Sequence, residues 1–457
     1  MGKFLRNVES LCPVCLKKII GHKVEYDDGV YLEKVCNEHG LFKTLIWEGE
    51  GYESWSENEK FKTPSITSSN IDKGCPYDCG ICSEHRQETC CVLLELTSRC
   101  NLKCPICFAS SNENIKEDIS LVKIGEYYDY LMECGGPYNI QLSGGEPTLR
   151  EDLEEIIKLG RKKGFTFFQL NTNGIKIGED ENYIKSLSDA GLNTVFLQFD
   201  GVSEEAYLKL RNKNLLDIKI KAIENCKRAG VGVVLVPTVV KDVNLQEIGK
   251  IIDFAIENMP TVRGVHFQPI SYFGRYEGRD DTYRITIPKM LREVENQMSG
   301  KMKLKDFLPG GAENSYCSFH ANFLVNEDKS LKALGSKNSC CSKPTSSKQS
   351  REFVAQQWSG RKEINLNPSN NSSCCCSREK NEVSNTKSLD DFLDRFEKYT
   401  MAISGMLFQD VWNLDLDRLK QCYIHVVGED MKLIPFCAYN LTSINNESLY
   451  RKTYAIR

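Results

Sequence analysis

Three cysteines in Thr97-Ser98-Arg99-Cys100-Asn101-Leu102-Lys103-Cys104-Pro105-Ile106-Cys107-Phe108 are spaced Cys-x3-Cys-x2-Cys and follow directly on the apolar run Val92-Leu93-Leu94-Glu95-Leu96. Three thiolates on one loop can hold a 4Fe-4S cluster and leave one iron without a protein ligand, and such an open iron is where a substrate or cofactor binds. A structural cluster or a zinc site that borrows its fourth ligand from elsewhere is the plainer alternative. The chain carries 21 cysteines in 457 residues. In a reducing compartment that usage points to metals and redox chemistry rather than disulfides.

The other cysteines also fall in groups. Cys75, Cys79 and Cys82, with Cys91 as fourth ligand or Cys90 beside it, form a second triplet that suits an auxiliary 4Fe-4S cluster or zinc. Cys12, Cys15 and Cys36, with His39 nearby, have the spacing of a tetrahedral zinc or a rubredoxin-like mononuclear iron of structural role. Cys422 and Cys437 flank Ile434-Pro435-Phe436 and are expected either to join Cys317 in a further cluster over the barrel mouth or to be buried apolar cysteines. Cys134 and Cys226 lie in helical stretches and read as core. The adjacent Cys374-Cys375-Cys376 are awkward as three ligands of one metal, so they read as an exposed redox or soft-metal thiol site or as an incidental tract.

Elements that would position these groups are legible from periodicity. Apolar, β-rich runs begin at Val92, Tyr138, Phe165, Thr194, Val231 and Gly264, and most are followed by a helical stretch long enough for a right-handed crossover. The expected fold is α/β: a partial (β/α)6 barrel of the TIM type, with a small cysteine-rich N-terminal metal-binding module and a cysteine-containing C-terminal extension. The divisions are residues 1–90 for the metal-binding region, 91–275 for the barrel and 276–335 for a capping segment; 336–387 form a low-complexity insert, rich in Ser and Cys and expected to be a mobile loop, and 388–457 a C-terminal auxiliary-cluster region. Ser143-Gly144-Gly145-Glu146-Pro147 and Asn171-Thr172-Asn173-Gly174 end the second and third strands, on the rim where parallel β/α folds bind ligands. Paired glycines let backbone approach a ligand, and a carboxylate beside them can meet an ammonium group.

With these residues the stretch from about 90 to 270 resembles the radical S-adenosylmethionine (SAM) superfamily. The resemblance implies that Cys100, Cys104 and Cys107 hold a reducing cluster whose open iron chelates the amino and carboxylate groups of SAM. It implies that Gly144, Gly145, Glu146 and Pro147 form the methionine-amino motif, and that Asn171, Asn173, Gln198 and Asp200 lie on the ribose side. Arg211 would meet the SAM carboxylate. The aromatic that usually precedes the third cysteine is Ile106 here, with Phe108 after it as the adenine contact. The N-terminal Cys-Pro-Val-Cys, the Cys-Pro-Tyr-Asp-Cys-Gly-Ile-Cys stretch and the Ile-Pro-Phe-Cys-Ala-Tyr-Asn tail resemble a multi-cluster subgroup that includes the tetraether lipid synthase and the bacterial radical SAM (seleno)protein TrsS.

That resemblance implies reductive cleavage of SAM to a 5'-deoxyadenosyl radical and hydrogen abstraction from an unactivated carbon, followed by bond formation or methylation of an unknown substrate. A low-potential donor of the ferredoxin or flavodoxin type is the expected partner. A peptide-modifying maturase is a second reading, and a non-catalytic iron-sulfur electron carrier or metal scaffold a third. Charge excludes other classes: 59 basic against 63 acidic side chains leave −4, without the basic excess a nucleic-acid binder carries. No apolar run is long enough for a membrane span, and a cytoplasmic protein is expected. The histidines at 22, 39, 85, 266, 320 and 425 are scattered, which argues against a hydrolase.

Overall fold

The structure, a computed structural model, describes residues 2–56, 62–111, 118–276, 284–335, 347–360 and 393–451. Cys340, Cys341 and Cys374-Cys375-Cys376 lie outside the described residues.

Strands β1 (Lys3–Leu11), β2 (Lys18–Tyr26), β3 (Gly29–Cys36) and β4 (Gly40–Glu48) pair as an antiparallel meander. This sheet is larger than the short strand expected around Val30, and one face is pressed on the C-terminal part of the chain. Two lysines on that face are fully buried. Lys23 Nζ donates to Asp415 Oδ2 at 2.6 Å, and Lys34 Nζ donates to the carbonyls of Leu11 at 2.9 Å and Val411 at 2.7 Å. Ser10 Oγ donates to the Leu414 carbonyl at 2.6 Å. Burial holds the Lys23 pKa below its ordinary value despite Asp415, so the seam depends on its polar partners being complete.

The barrel runs in chain order as β5 (Cys91–Thr97), α1 (Leu121–Glu133), β6 (Asn139–Gly144), α2 (Leu153–Lys162), β7 (Phe168–Thr172), α3 (Ile175–Glu179), α4 (Glu181–Ala190) and β8 (Thr194–Gln198). It continues with α5 (Glu204–Arg211), α6 (Leu216–Ala229), β9 (Gly232–Val236), α7 (Ile248–Glu257) and β10 (Val262–Pro269). Strands β5 to β10 pair in sequence order and all parallel, as alternation of strand and amphipathic helix requires. Val92, Leu94, Ile140, Leu142, Val195 and Leu197 point outward beneath the helices, while the alternate positions face the lumen.

The sheet reaches beyond the expected barrel at both edges. After α8 (Ile287–Gln297) come β11 (Ser318–Val325), α9 (Ser347–Trp358), β12 (Thr400–Met406), β13 (Ile424–Val427) and β14 (Leu433–Pro435). Strand β12 pairs parallel with β10 and β13 pairs parallel with β5, so eight strands run parallel; antiparallel β11 and β14 flank them.

Helix α9 corrects the expectation that the whole of 336–387 is a mobile loop. Its polar sequence hides the fact that it is fixed by hydrogen bonds to strand beginnings. Ser347 Oγ donates to the Glu88 carbonyl at 3.0 Å, Asn139 Nδ2 to Arg351 O at 3.1 Å, Arg263 Nε to Gln357 O at 3.0 Å and Gln357 Nε2 to Thr400 O at 2.9 Å. The helix therefore stoppers the N-terminal end of the barrel.

Candidate active site

The loop after β5 brings Cys100, Cys104 and Cys107 into one apolar cluster with Leu102, Ile175, Tyr207 and Leu215. Burial pushes the Cys100 thiol up to about 12, and Glu146, Cys107 and Cys104 add to the rise. Three thiols so placed need a cationic partner to ionise together, and this donor set fits an iron-sulfur cluster. The loop is clamped from two sides. Gly145 N donates to Thr97 O and Glu146 N to Arg99 O, each at 2.8 Å. On the other side Cys107 and Arg275 exchange backbone hydrogen bonds at 2.9 and 3.0 Å, and Arg275 Nε donates to Cys104 O at 2.9 Å.

Gly144 and Gly145 are glycine for this clamp. A Cβ would lie 2.2 Å from Thr97 O at Gly144, where φ is 129°, and 2.1 Å from Arg99 O at Gly145. The close approach these two residues permit is to the cysteine loop's own backbone.

Glu146 is buried with both carboxylate oxygens engaged. Oε1 accepts from Thr148 Oγ1 at 2.7 Å, Thr148 N at 3.1 Å and Thr172 Oγ1 at 2.7 Å, while Oε2 accepts from Asn173 N at 2.7 Å. Pro147 opens the single 3-10 turn that follows. Asn173 Nδ2 donates to Asn101 Oδ1 at 2.7 Å, so the end of β7 is tied to the cysteine loop. Asn171 points into the lumen, accepting from Gln169 at 2.7 Å and donating to Gln141 at 3.3 Å.

Asp200 and Arg211 meet each other. The guanidinium donates to both carboxylate oxygens at 2.7 Å and to Thr238 Oγ1 at 3.0 Å, and the pair is buried. Gln198 Oε1 accepts from Lys219 Nζ at 3.3 Å, and turning the amide over sets the oxygen within 3.2 Å of the same guanidinium. Phe108 is 36% exposed and packs on Phe436 with ring centroids 5.8 Å apart. That contact places the C-terminal tail over the barrel mouth, where Arg451 Nη1 also donates to Glu95 at 3.0 Å.

One residue absent from the sequence reading is Lys219. Burial draws its pKa down to about 8, and its ammonium donates to the Asn173 carbonyl beside Asp200, Arg211 and Glu146. The signal was available: a lysine stands in the apolar stripe Leu215, Ala222, Cys226 of α6. Arg275, which fastens the cysteine loop, was also missed.

Among the described residues, most of the other cysteines fall into three groups, with Cys90 and Cys91 apart from them. Cys12, Cys15, Cys36 and His39 converge with all four ligand atoms within 4.8 Å of one another, a single-ion geometry. Burial pushes the Cys12 thiol up to about 11, whereas backbone N–H groups at Glu38 and the His39 ring draw Cys36 down to about 6. Cys75, Cys79 and Cys82 line one cavity with His85 and Lys420; a hydrogen bond with Cys75 and burial push the Cys79 thiol up. Cys91 does not join them. It sits at the start of β5, inside the barrel, with its thiol on Gln141 and next to Cys90, because the strand's alternation turns it to the lumen. Cys317, Cys422 and Cys437 come together: burial pushes Cys437 up, Cys422 and Cys317 add to it, and Arg418 donates to Cys317 Sγ at 3.4 Å.

A family model of the radical SAM superfamily matches residues 94–255, and one of the HMPTM N-terminal zinc ribbon domain matches residues 4–48. The 7,8-dihydro-6-hydroxymethylpterin dimethyltransferase of Methanocaldococcus jannaschii is 37% identical over 476 residues, covering 94% of this chain and 92% of its own. A GTP 3',8-cyclase of Clostridium perfringens is 28% identical over 204 residues, 44% of this chain and 62% of the cyclase. A crystal structure of Streptococcus suis SuiB bound to S-adenosylmethionine aligns with a TM-score of 0.38 and 16% identity over 47% of this chain and 48% of that one. Among the described residues no helix is long and apolar enough to cross a membrane. On the near end-to-end match and the cysteine loop together, the chain is an enzyme of the radical SAM superfamily.

Proposed function

We propose that the protein methylates a reduced pterin at carbon, using SAM and the cluster at Cys100, Cys104 and Cys107. The observation that carries this reading is the 37% identity to a pterin dimethyltransferase across 94% of the chain. With SAM, an open-iron cluster supplies one-electron chemistry that yields a hydrogen-abstracting carbon radical. The protein's own part is placement and exclusion. Gly144 and Gly145 let the second strand end lie against the cysteine loop, Glu146 and Asn173 fix that strand end, and the Asp200–Arg211 pair holds a positive group beside Cys104. Phe108, Gln198, Asn171 and Pro147 complete the wall against which SAM would lie. The tail residues Phe436 and Arg451 cover the mouth and limit water.

Cys75, Cys79 and Cys82, and separately Cys317, Cys422 and Cys437, would hold auxiliary clusters. Zinc or mononuclear iron would occupy the Cys12 site. A ferredoxin- or flavodoxin-type protein would deliver electrons in the cytoplasm. The test is anaerobic: incubate the iron-loaded protein with SAM, dithionite, 7,8-dihydro-6-hydroxymethylpterin and a one-carbon donor, either SAM itself or a carbon-loaded reduced folate. Deoxyadenosine plus methylated pterin, both lost in a Cys100/Cys104/Cys107 triple Ala variant, is the expected result. Deoxyadenosine without methylated pterin would overturn the substrate, and cluster-loaded protein that cleaves no SAM would return the chain to an electron-carrying role.

A further inference from the structure

With Cys91 turned into the barrel lumen, the triplet Cys75, Cys79 and Cys82 is one ligand short. Cys90 does not fill the place, since the charged groups its buried thiol feels are Arg351 and Glu313. Three other side chains with metal-ligating atoms line the same cavity as the triplet: Asp78, Glu84 and His85. The two carboxylates are already committed. Asp78 Oδ2 accepts from the backbone N–H groups of Asp72 at 2.9 Å and Gly74 at 2.7 Å, and from that of Lys73 between them. Glu84 is half exposed and pairs with Lys420 at 2.9 Å.

His85 is placed differently. It is 4% exposed, and its backbone N–H donates to Cys82 O at 3.0 Å, a turn that keeps it beside the triplet. Its Nε2 lies 2.8 Å from the carbonyl oxygen of Cys422. A carbonyl only accepts, so Nε2 carries the hydrogen, and in the neutral imidazole Nδ1 keeps a bare lone pair. The ring of His425 packs edge-on against it with centroids 5.1 Å apart and holds its orientation. An imidazole with one nitrogen fixed on a backbone carbonyl is the usual arrangement of a histidine that ligates metal through the other.

The spread of the donors bears on which metal. Among the described residues, only the Cys12 site gathers three or more metal-ligating atoms within 4.8 Å of one another. The donors around the second cavity therefore stand farther apart, which suits ligands on separate irons of a cluster better than one tetrahedral ion.

We infer that His85 Nδ1 is the fourth ligand of an auxiliary 4Fe-4S cluster at Cys75, Cys79 and Cys82, in the spacing Cys-x3-Cys-x2-Cys-x2-His. This rests on the auxiliary-cluster part of the reading above and deepens it, whatever the substrate. A neutral imidazole in place of a thiolate removes one negative charge from the cluster and raises its reduction potential. Through its bond to the Cys422 carbonyl, the same ring joins this centre to the one at Cys317, Cys422 and Cys437.

The test is spectroscopic. The full-length chain, with heavy nitrogen in its histidines, is loaded with iron and sulfide, reduced with dithionite in the absence of SAM and studied by pulsed electron paramagnetic resonance. The wild type shows a cluster signal coupled to a directly bound histidine nitrogen. His85→Cys loses that coupling, keeps its iron and shifts the midpoint potential of the cluster to more negative values. Absence of the coupling from a wild type that carries auxiliary cluster iron overturns the inference, even where the variant fails to fold, and so does coupling that survives in His85→Cys. A Cys75/Cys79/Cys82 triple Ser variant separates this failure from failure of the cluster itself. If that variant keeps all the cluster iron of the wild type, the auxiliary cluster is rejected and its ligand with it. If it loses iron while His85→Cys leaves spectrum and potential unchanged, the cluster stands and only its histidine ligand falls.

Discussion

Glu146 Oε2 accepts from the backbone N–H of Asn173 at 2.7 Å, and this one contact fastens the glycine-rich end of β6 to the end of β7. Through Asn173 Nδ2 on Asn101, the same brace reaches the cysteine loop. Removing the carboxylate strands the N–H groups of Asn173 and Thr148 in a buried place. Glu146→Ala is expected to destabilise the cluster-free protein by about 1–3 kcal/mol for each stranded group. Chemical unfolding of the apo protein measures it, and an unchanged midpoint would remove the bracing role.

Asp200 and Arg211 make a second prediction, because both are buried and each is the other's main partner. Losing one leaves an uncompensated charge, at a cost of about 3–5 kcal/mol. Asp200→Ala and Arg211→Met should each lower stability by that order, while the Asp200→Ala/Arg211→Met double variant should lose much less than the sum. Additive losses in a double-mutant cycle would show that the pair is not coupled.

The N-terminal site gives a third. Cys15→Ser should remove one equivalent of bound metal without touching iron at Cys100, Cys104 and Cys107, since the N-terminal ligand set comes from another part of the chain. Metal analysis beside iron and sulfide determination decides this; loss of cluster iron in the variant would show the two sites to be interdependent.

A fourth concerns pH. His266 ordinarily titrates at 6.5, and burial draws it down to about 4 in the folded protein. Between those values the unfolded chain binds more protons, so folding stability falls as pH drops from about 6.5 toward 4, by about 3 kcal/mol when fully expressed. His266→Phe should remove its share of that acid limb, leaving the shares of His85 and His425, whose pKa values burial also lowers. An acid limb of equal slope in the variant would assign the loss elsewhere.

The parallel strands and the cysteine loop were legible because strand–helix alternation and ligand spacing are local properties. What escaped depended on partners distant in sequence. Nothing in Ser347–Trp358 announces a helix that seals a barrel, since its fixing bonds go to Glu88, Asn139, Arg263 and Thr400. The strand Thr400–Met406 was hidden behind the polar insert. Asp200 and Arg211 were each visible as rim residues, but only folding shows that they pair. Cys91 had the right spacing for a fourth ligand and the wrong face of its strand.

The buried Lys23–Asp415 bond joins positions 392 residues apart. During synthesis the N-terminal sheet emerges first; Lys34 can meet Leu11 O and Ser10 Oγ within it, but Lys23 lacks its carboxylate partner until Asp415 has left the ribosome. The Lys23 side of the seam can therefore close only after the barrel strands have been made, when the stretch around Asp415 reaches the first sheet. A truncation in the last tenth of the protein is for that reason a lesion of its first domain.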